Sequence, residues 1–206
     1  MSLILWAKKM LVQQIVHLAF TSNTYLISNK TDGDVFLVDI GNFKGVMELI
    51  SDIQTVKGVF ITHYHYDHIF GINDLIKRFP NCGVYASSHT IEGLYSDKMN
   101  LSFYHECPIV FQGKNPVTIK ENDKINLFEG ACLEVIETPG HNSGCLTFKV
   151  NNYLFTGDSF IPNIEVITKL KGGDKVANKL SLQKIRNKIV SGTCVCPGHG
   201  ILLEFP

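Results

Sequence analysis

The stretch Thr62-His63-Tyr64-His65-Tyr66-Asp67-His68 decides how this chain is read. It closes an apolar run, Lys57-Gly58-Val59-Phe60-Ile61-Thr62, with the length and composition of a buried strand. It opens a segment in which Ile69, Ile72, Leu75 and Ile76 recur at helical spacing until Pro80 stops them. In extended backbone, side chains two apart share a face. His63 and His65 therefore point the same way, and Asp67 joins them as the chain turns. His68 starts the helix and is aimed differently, so one short segment offers ligands to two neighbouring points. Imidazole nitrogen and carboxylate oxygen both bind zinc, and imidazole also suits iron.

Three further signals lie downstream. Thr138-Pro139-Gly140-His141 ends a predicted strand at 132–137, Gly157-Asp158 ends one at 153–157, and Pro197-Gly198-His199-Gly200 ends one at 193–196. Each alone is ordinary turn sequence. Together they put a ligand-type residue at the C-terminal end of three strands, the same end as the first motif. Five of the eight histidines fall in these places; His17, His89 and His105 do not, and read as structural.

The rest of the chain supplies a frame. Strands are expected at 12–20, 24–30 and 34–40, with Asp32-Gly33 as a hairpin turn between the second and third. Helix 43–53, helix 67–79, strand 83–87 and helix 89–96 follow, then an irregular stretch at 97–114. Strands return at 117–120, 125–128 and 145–150, with Asn151-Asn152 as a tight turn before the strand at 153–157. A loop at 162–179 leads to a helix at 181–190. Grouped strands with helices between them predict a mixed α/β class with two sheets. The 206 residues suit one domain, 1–206, able to bury a core without disulfides. None of the six cysteines pairs at a two-residue gap. They read as reduced, mostly buried small hydrophobes, Cys132 and Cys145 in apolar runs among them.

Lys plus Arg equals Asp plus Glu, 19 each, with no basic stripe, which argues against nucleic acid as partner. No apolar run is long enough to span a bilayer. The opening Met1-Ser2-Leu3-Ile4-Leu5-Trp6-Ala7-Lys8-Lys9 places its charges after a short apolar stretch, the wrong order for a secretory signal. A cytoplasmic protein acting on a small molecule, away from membranes, is expected.

The pattern His63-x-His65-x-Asp67-His68, followed by His141, Asp158 and His199, covers most of the chain and resembles the metallo-β-lactamase superfamily. The resemblance implies an αββα sandwich, two mixed β-sheets face to face with helices outside. It implies that His63, His65 and His141 hold one metal, that Asp67, His68 and His199 hold a second, and that Asp158 bridges them. The cofactor expected is a pair of divalent ions, zinc first, with iron or manganese as alternatives. Asp67 and Asp158 are expected to serve catalysis by offsetting the metal charge. Asp39, in Leu37-Val38-Asp39-Ile40-Gly41, resembles a family position behind the metal loop that orients a histidine or the loop backbone; capping a turn after a strand suits it equally.

Departures narrow the subfamily. Position 65 is His where the di-iron flavoproteins carry Glu. His68 stands in place of Arg and Asp158 in place of Cys or Ser, both against a true β-lactamase. Asp158 looks like glyoxalase II and its relatives, although their Thr-Pro-Gly-His-Thr reads Thr-Pro-Gly-His-Asn at 138–142. The sequence stops seven residues after His199, whereas glyoxalase II continues into a helical domain that helps bind glutathione. The expectation is a hydrolase of a thioester, ester or lactone, using water made acidic between two metals, without a strict glutathione requirement. The alternatives are a one-iron oxidoreductase like the persulfide dioxygenases, or a phosphodiesterase or nuclease, which the neutral charge disfavours. Residues 97–114, with Met99, Phe103, Tyr104 and Phe111, suit a lid. Lys169, Lys171, Lys175 and Lys179 read as a solvated loop, and Tyr64 and Tyr66 as packing residues.

Overall fold

The computed structural model describes residues 10–29 and 33–206. The N-terminal stretch read for a targeting signal and Asp32 of the expected hairpin turn lie outside the described residues.

The first sheet takes its strands in chain order: β1 (Leu11–Val16), β2 (Asn23–Ser28), β3 (Asp34–Val38), β4 (Thr55–Phe60), β5 (Gly83–Ala86) and β6 (Val117–Thr118). The first three run antiparallel, and β3 to β6 pair in parallel. The second sheet is β7 (Lys124–Phe128), β8 (Ala131–Glu137), β9 (Leu146–Val150), β10 (Tyr153–Gly157), β11 (Cys194–Pro197) and β12 (Leu203–Glu204). Only β10 and β11 are parallel there. Both sheets are therefore mixed.

Alternation along the strands explains the layers. Tyr25, Ile27, Phe36, Val38 and Phe60 face inward and pack on Leu133, Val135, Phe148 and Phe155 of the second sheet. Leu26, Val35, Leu37 and Val59 face the other way, under four of the helices. Val46 of α1 (Phe43–Leu49), Ile72 and Leu75 of α3 (Ile72–Arg78) and Leu94 of α4 (Ser88–Leu94) complete that outer core. Across the molecule, Ile185 of α5 (Lys175–Lys188) covers Ile136 and Leu154. The result is the expected sandwich of two mixed sheets flanked by helices.

Local departures have local causes. The helix expected at 67–79 is two helices, α2 (Tyr66–Ile69) and α3, broken at Phe70-Gly71. Ile40 takes the groups that would continue it: its N–H donates to the His68 carbonyl, 2.8 Å, and its carbonyl accepts from Gly71 N–H, 2.8 Å. The last helix starts at Lys175 rather than 181, because Asp174 caps the backbone N–H groups of Val176 and Ala177. The first strand ends at Val16, where the turn His17–Ser22 begins. Cys145, Cys194 and Cys196 are buried, but Cys132 sits on the solvent face of β8 and is exposed, against the expectation for it. No helix among the described residues is long and apolar enough to cross a membrane.

The two sheets are stitched along one edge. Leu146 N–H at the start of β9 donates to the Thr62 carbonyl just past β4, 2.8 Å. Asn23 at the start of β2 donates from its backbone to the Gly198 carbonyl, 2.7 Å, and from its side chain to Pro197 and Gly200 carbonyls. The candidate site lies at this edge.

Candidate metal centre

All seven residues singled out in the sequence meet there. His63 and His65 follow β4, and Asp67 and His68 lie in α2. His141 follows β8, Asp158 follows β10 and His199 follows β11. The ligand-type atoms of His63, His65 and His141 lie within 4.8 Å of one another, and so do those of Asp67, His68 and His199. His141 Nε2 approaches His65 Nδ1 to 2.8 Å. His199 Nε2 lies 3.2 Å and His68 Nε2 3.5 Å from Asp67 Oδ2.

Asp158 stands between the groups. Its Oδ1 is 3.5 Å from His68 Nε2, and its Oδ2 is 3.5 Å from His141 Nε2 and 3.6 Å from His199 Nε2. Gly198 makes room for it: a Cβ there would collide with Asp158 Oδ1 and stand 2.8 Å from His68 Cε1.

A metal fits this set. His63 Nε2, His68 Nε2 and Asp158 Oδ1 are buried and have no hydrogen-bond partner among the described residues. Such atoms cost free energy unless something binds them, and a cation is what imidazole and carboxylate lone pairs bind together. The cluster is capable of binding metal.

The far nitrogens are mostly engaged, which fixes ring orientation and tautomer. His68 Nδ1 meets Asp39 Oδ2 at 2.8 Å, His63 Nδ1 meets Thr62 Oγ1 at 3.0 Å, and His141 Nδ1 meets the Ile167 carbonyl at 2.8 Å. Asp39 also accepts from Thr62 N–H, 2.7 Å, and Thr62 Oγ1, 2.8 Å. It thus orients both a histidine and the loop backbone. A third grouping of Asp39, His63 and His68 is this same network, its carboxylate oxygens already occupied.

Burial and neighbouring imidazoles hold His63 well below its ordinary range and push His65 down to about 3, so both present bare nitrogen. Burial also works against charge on His68, but Asp67, Asp158 and Asp39 outweigh it and push that ring up to about 10. Burial would raise Asp67; His68 and His199 outweigh it and hold the carboxyl well below the usual carboxylate range.

The remaining expectations sort plainly. Tyr64 is fully buried against Gly93, a packing residue. Tyr66 lies on His105, ring centroids 3.8 Å apart, and meets Phe20 edge-on at 5.1 Å. Phe103 and Tyr104 are exposed, whereas Phe111 is core. Thr21, whose Oγ1 lies 3.2 Å from His199 Nδ1, and the Ile167 carbonyl were not foreseen. A backbone carbonyl has no residue-type signal, and a threonine 178 positions from its partner has none either.

Fold and site together define a two-sheet α/β protein with a metal-binding histidine and aspartate cluster at its strand ends. Residues 18–199 match the metallo-beta-lactamase superfamily, and the chain belongs to that superfamily. The hydroxyacylglutathione hydrolase of Xylella fastidiosa (strain M12) is 33% identical over 186 residues, 90% of this chain and 63% of that protein. The hydroxyacylglutathione hydrolase of Salmonella arizonae is 26% identical over 182 residues, 88% of this chain and 63% of that one. The chain thus spans less than two thirds of these relatives' length. The crystal structure of BLEG-1 B3 metallo-beta-lactamase has a TM-score of 0.85 at 23% identity, covering 94% of both chains. That of ETHE1 from Myxococcus xanthus has 0.74 at 20% identity, covering 94% of this chain and 79% of that one. At such identities the likeness is one of fold.

Proposed function

We propose that this chain is a two-metal hydrolase of a small-molecule thioester, ester or lactone. The observation that carries the reading is the placement of Asp158, whose oxygens reach histidines of both triads. Asp158 would serve both positions, His63, His65 and His141 would complete one, and Asp67, His68 and His199 would complete the other. Two divalent cations held there would supply an acidified water at neutral pH and Lewis-acid polarisation of a substrate carbonyl. The two carboxylates offset the cationic charge, and the oriented imidazoles keep the geometry fixed before substrate arrives. The two buried thiols beside the cluster in sequence, Cys145 and Cys196, are both pushed up by burial, Cys145 to about 12, so neither offers a thiolate nucleophile at neutral pH. The curated relatives, named as hydrolases of hydroxyacylglutathione, support acyl rather than phosphoryl chemistry.

Elemental analysis of protein purified without added metal, joined to a panel of an acyl thioester, a lactone and an aryl phosphodiester, tests the reading. About two metal equivalents and thioester or lactone hydrolysis are expected. A ceiling of one iron with oxygen uptake on a persulfide substrate overturns it in favour of an oxidoreductase. Cleavage of the phosphodiester alone overturns the reaction class.

A further inference from the structure

The far nitrogens of three cluster histidines are held from within the protein: His63 by Thr62, His68 by Asp39 and His141 by the Ile167 carbonyl. His199 differs. Its Nδ1 meets Thr21 Oγ1 at 3.2 Å, a contact at the exposed rim of the site. Thr21 belongs to the turn His17–Ser22 that joins β1 to β2, and its φ is +60°. That backbone region is unfavourable for a β-branched residue and persists only where the surroundings over-determine it.

The surroundings do so here. Thr21 N–H donates to the His17 carbonyl, 2.7 Å, and His17 N–H donates to the Ser22 carbonyl, 2.9 Å. His17 Nδ1 accepts from the backbone N–H groups of Ala19 and Phe20, 3.2 Å each, and its ring stacks on Phe20 at 4.4 Å. The next residue, Ser22, forms an isolated backbone bridge with His199 and donates from Oγ to the Asp67 carbonyl, 2.7 Å. The turn is thereby pinned to two of the three residues of one triad, and the strained backbone delivers the Thr21 hydroxyl to Nδ1 of His199.

We infer that Thr21 is the positioning residue for the metal position formed by Asp67, His68 and His199. By accepting the Nδ1–H of His199 it leaves the Nε2 lone pair facing Asp67 and Asp158. The turn around His17 exists to hold that hydroxyl in place. This inference rests on the two-metal reading above. It separates the two positions: among the described residues, His63, His65 and His141 make no hydrogen bond or ring contact with the turn, and the position they form is indifferent to Thr21.

Zinc titration of the metal-free full chain against a chromophoric chelator reads the two positions separately, without reference to turnover. Thr21→Val keeps the side-chain shape but removes the hydroxyl. It is expected to weaken the second zinc equivalent about 10- to 100-fold, the usual effect of losing an outer partner of a metal ligand, and to leave the first unchanged. Thr21→Ser restores the second equivalent. Thr21→Gly relieves the backbone without restoring the hydroxyl, so its second equivalent stays weak while its metal-free Tm does not fall. Wild type taking two equivalents while Thr21→Val takes two with unchanged affinity overturns the inference alone. So does equal loss of both equivalents in Thr21→Val, or full second-site affinity in Thr21→Gly. A wild type that stops at one equivalent overturns the two-metal reading and this inference with it.

Discussion

Asp158 reaches both groups of histidines, whereas His199 Nε2 serves one. Asp158→Ala is therefore expected to lower zinc content toward zero and kcat/KM by more than the roughly 100-fold that loss of an outer partner costs. His199→Ala should retain close to one equivalent. Equal, small losses in both, measured by mass spectrometry and initial rates, would refute the bridge. The titrations give a second expectation for the metal-free chain. His65 is held near 3 in the fold and returns to about 6.5 on unfolding, so its contribution is present above 6.5 and lost as pH falls toward 3. His68 has the opposite sign: raised to about 10, its contribution is full below 6.5 and lost as pH rises through 10. Melting of chelated protein from pH 4 to 9 should therefore peak between about 6 and 7, and a Tm still climbing at pH 9 contradicts the placement of His68. At this scale the sequence was most informative. The seven ligand types announce themselves by chemistry and by their common position after strands, and Asp39 by its place after β3. What stayed hidden were partners that the fold alone brings near, such as Thr21 and the carbonyl of Ile167.

The elements were legible where periodicity was strong and obscured where a tertiary bond redirects the chain. β3 and the end of β4 were legible within continuous apolar runs, Val35 to Val38 and Val59 to Ile61, because both of their faces are buried. The break between α2 and α3 comes from Ile40, a residue 28 positions before His68, and leaves no mark on the apolar spacing of Ile69, Ile72 and Leu75. The start of α5 did have a signal, Asp174 ahead of Lys175, masked by Gly172-Gly173 and by the lysines at 169, 171, 175 and 179 that read as a solvated loop. The two-residue strand β12 is too short to carry a pattern. That cap has a measurable value. Asp174 Oδ1 accepts from Val176 N–H at 2.7 Å and Ala177 N–H at 3.0 Å, and its own N–H holds the Gly140 carbonyl beside His141. Asp174→Ala should cost about 1 kcal/mol, or roughly 2–4 °C in Tm for a chain of this size. An unchanged melting temperature would mean that the first turn of α5 is held by something else.

Across the whole molecule, metal and fold are expected to stabilise each other. A ligand present at 100 times its Kd adds about 2.7 kcal/mol to the folded state. Two occupied positions should therefore raise Tm by roughly 10–20 °C over the chelated chain, and calorimetry with and without chelator reads the difference directly. A shift of only a degree or two would indicate that the cluster is not loaded. The order of the strands has a further consequence. β1 to β6 all precede residue 119 and build one sheet, and β7 to β12 all follow residue 123 and build the other. His63, His65, Asp67 and His68 come from the first half, and His141, Asp158 and His199 from the second. A cut in the turn at Asn122, where φ is +68°, would yield two polypeptides that each hold an incomplete share of both triads. Joined by the aromatic seam of Phe60 on Phe148 and Phe36 on Phe128, such fragments should reassemble when zinc is present and part when it is chelated, which makes this scaffold a natural split reporter for the ion.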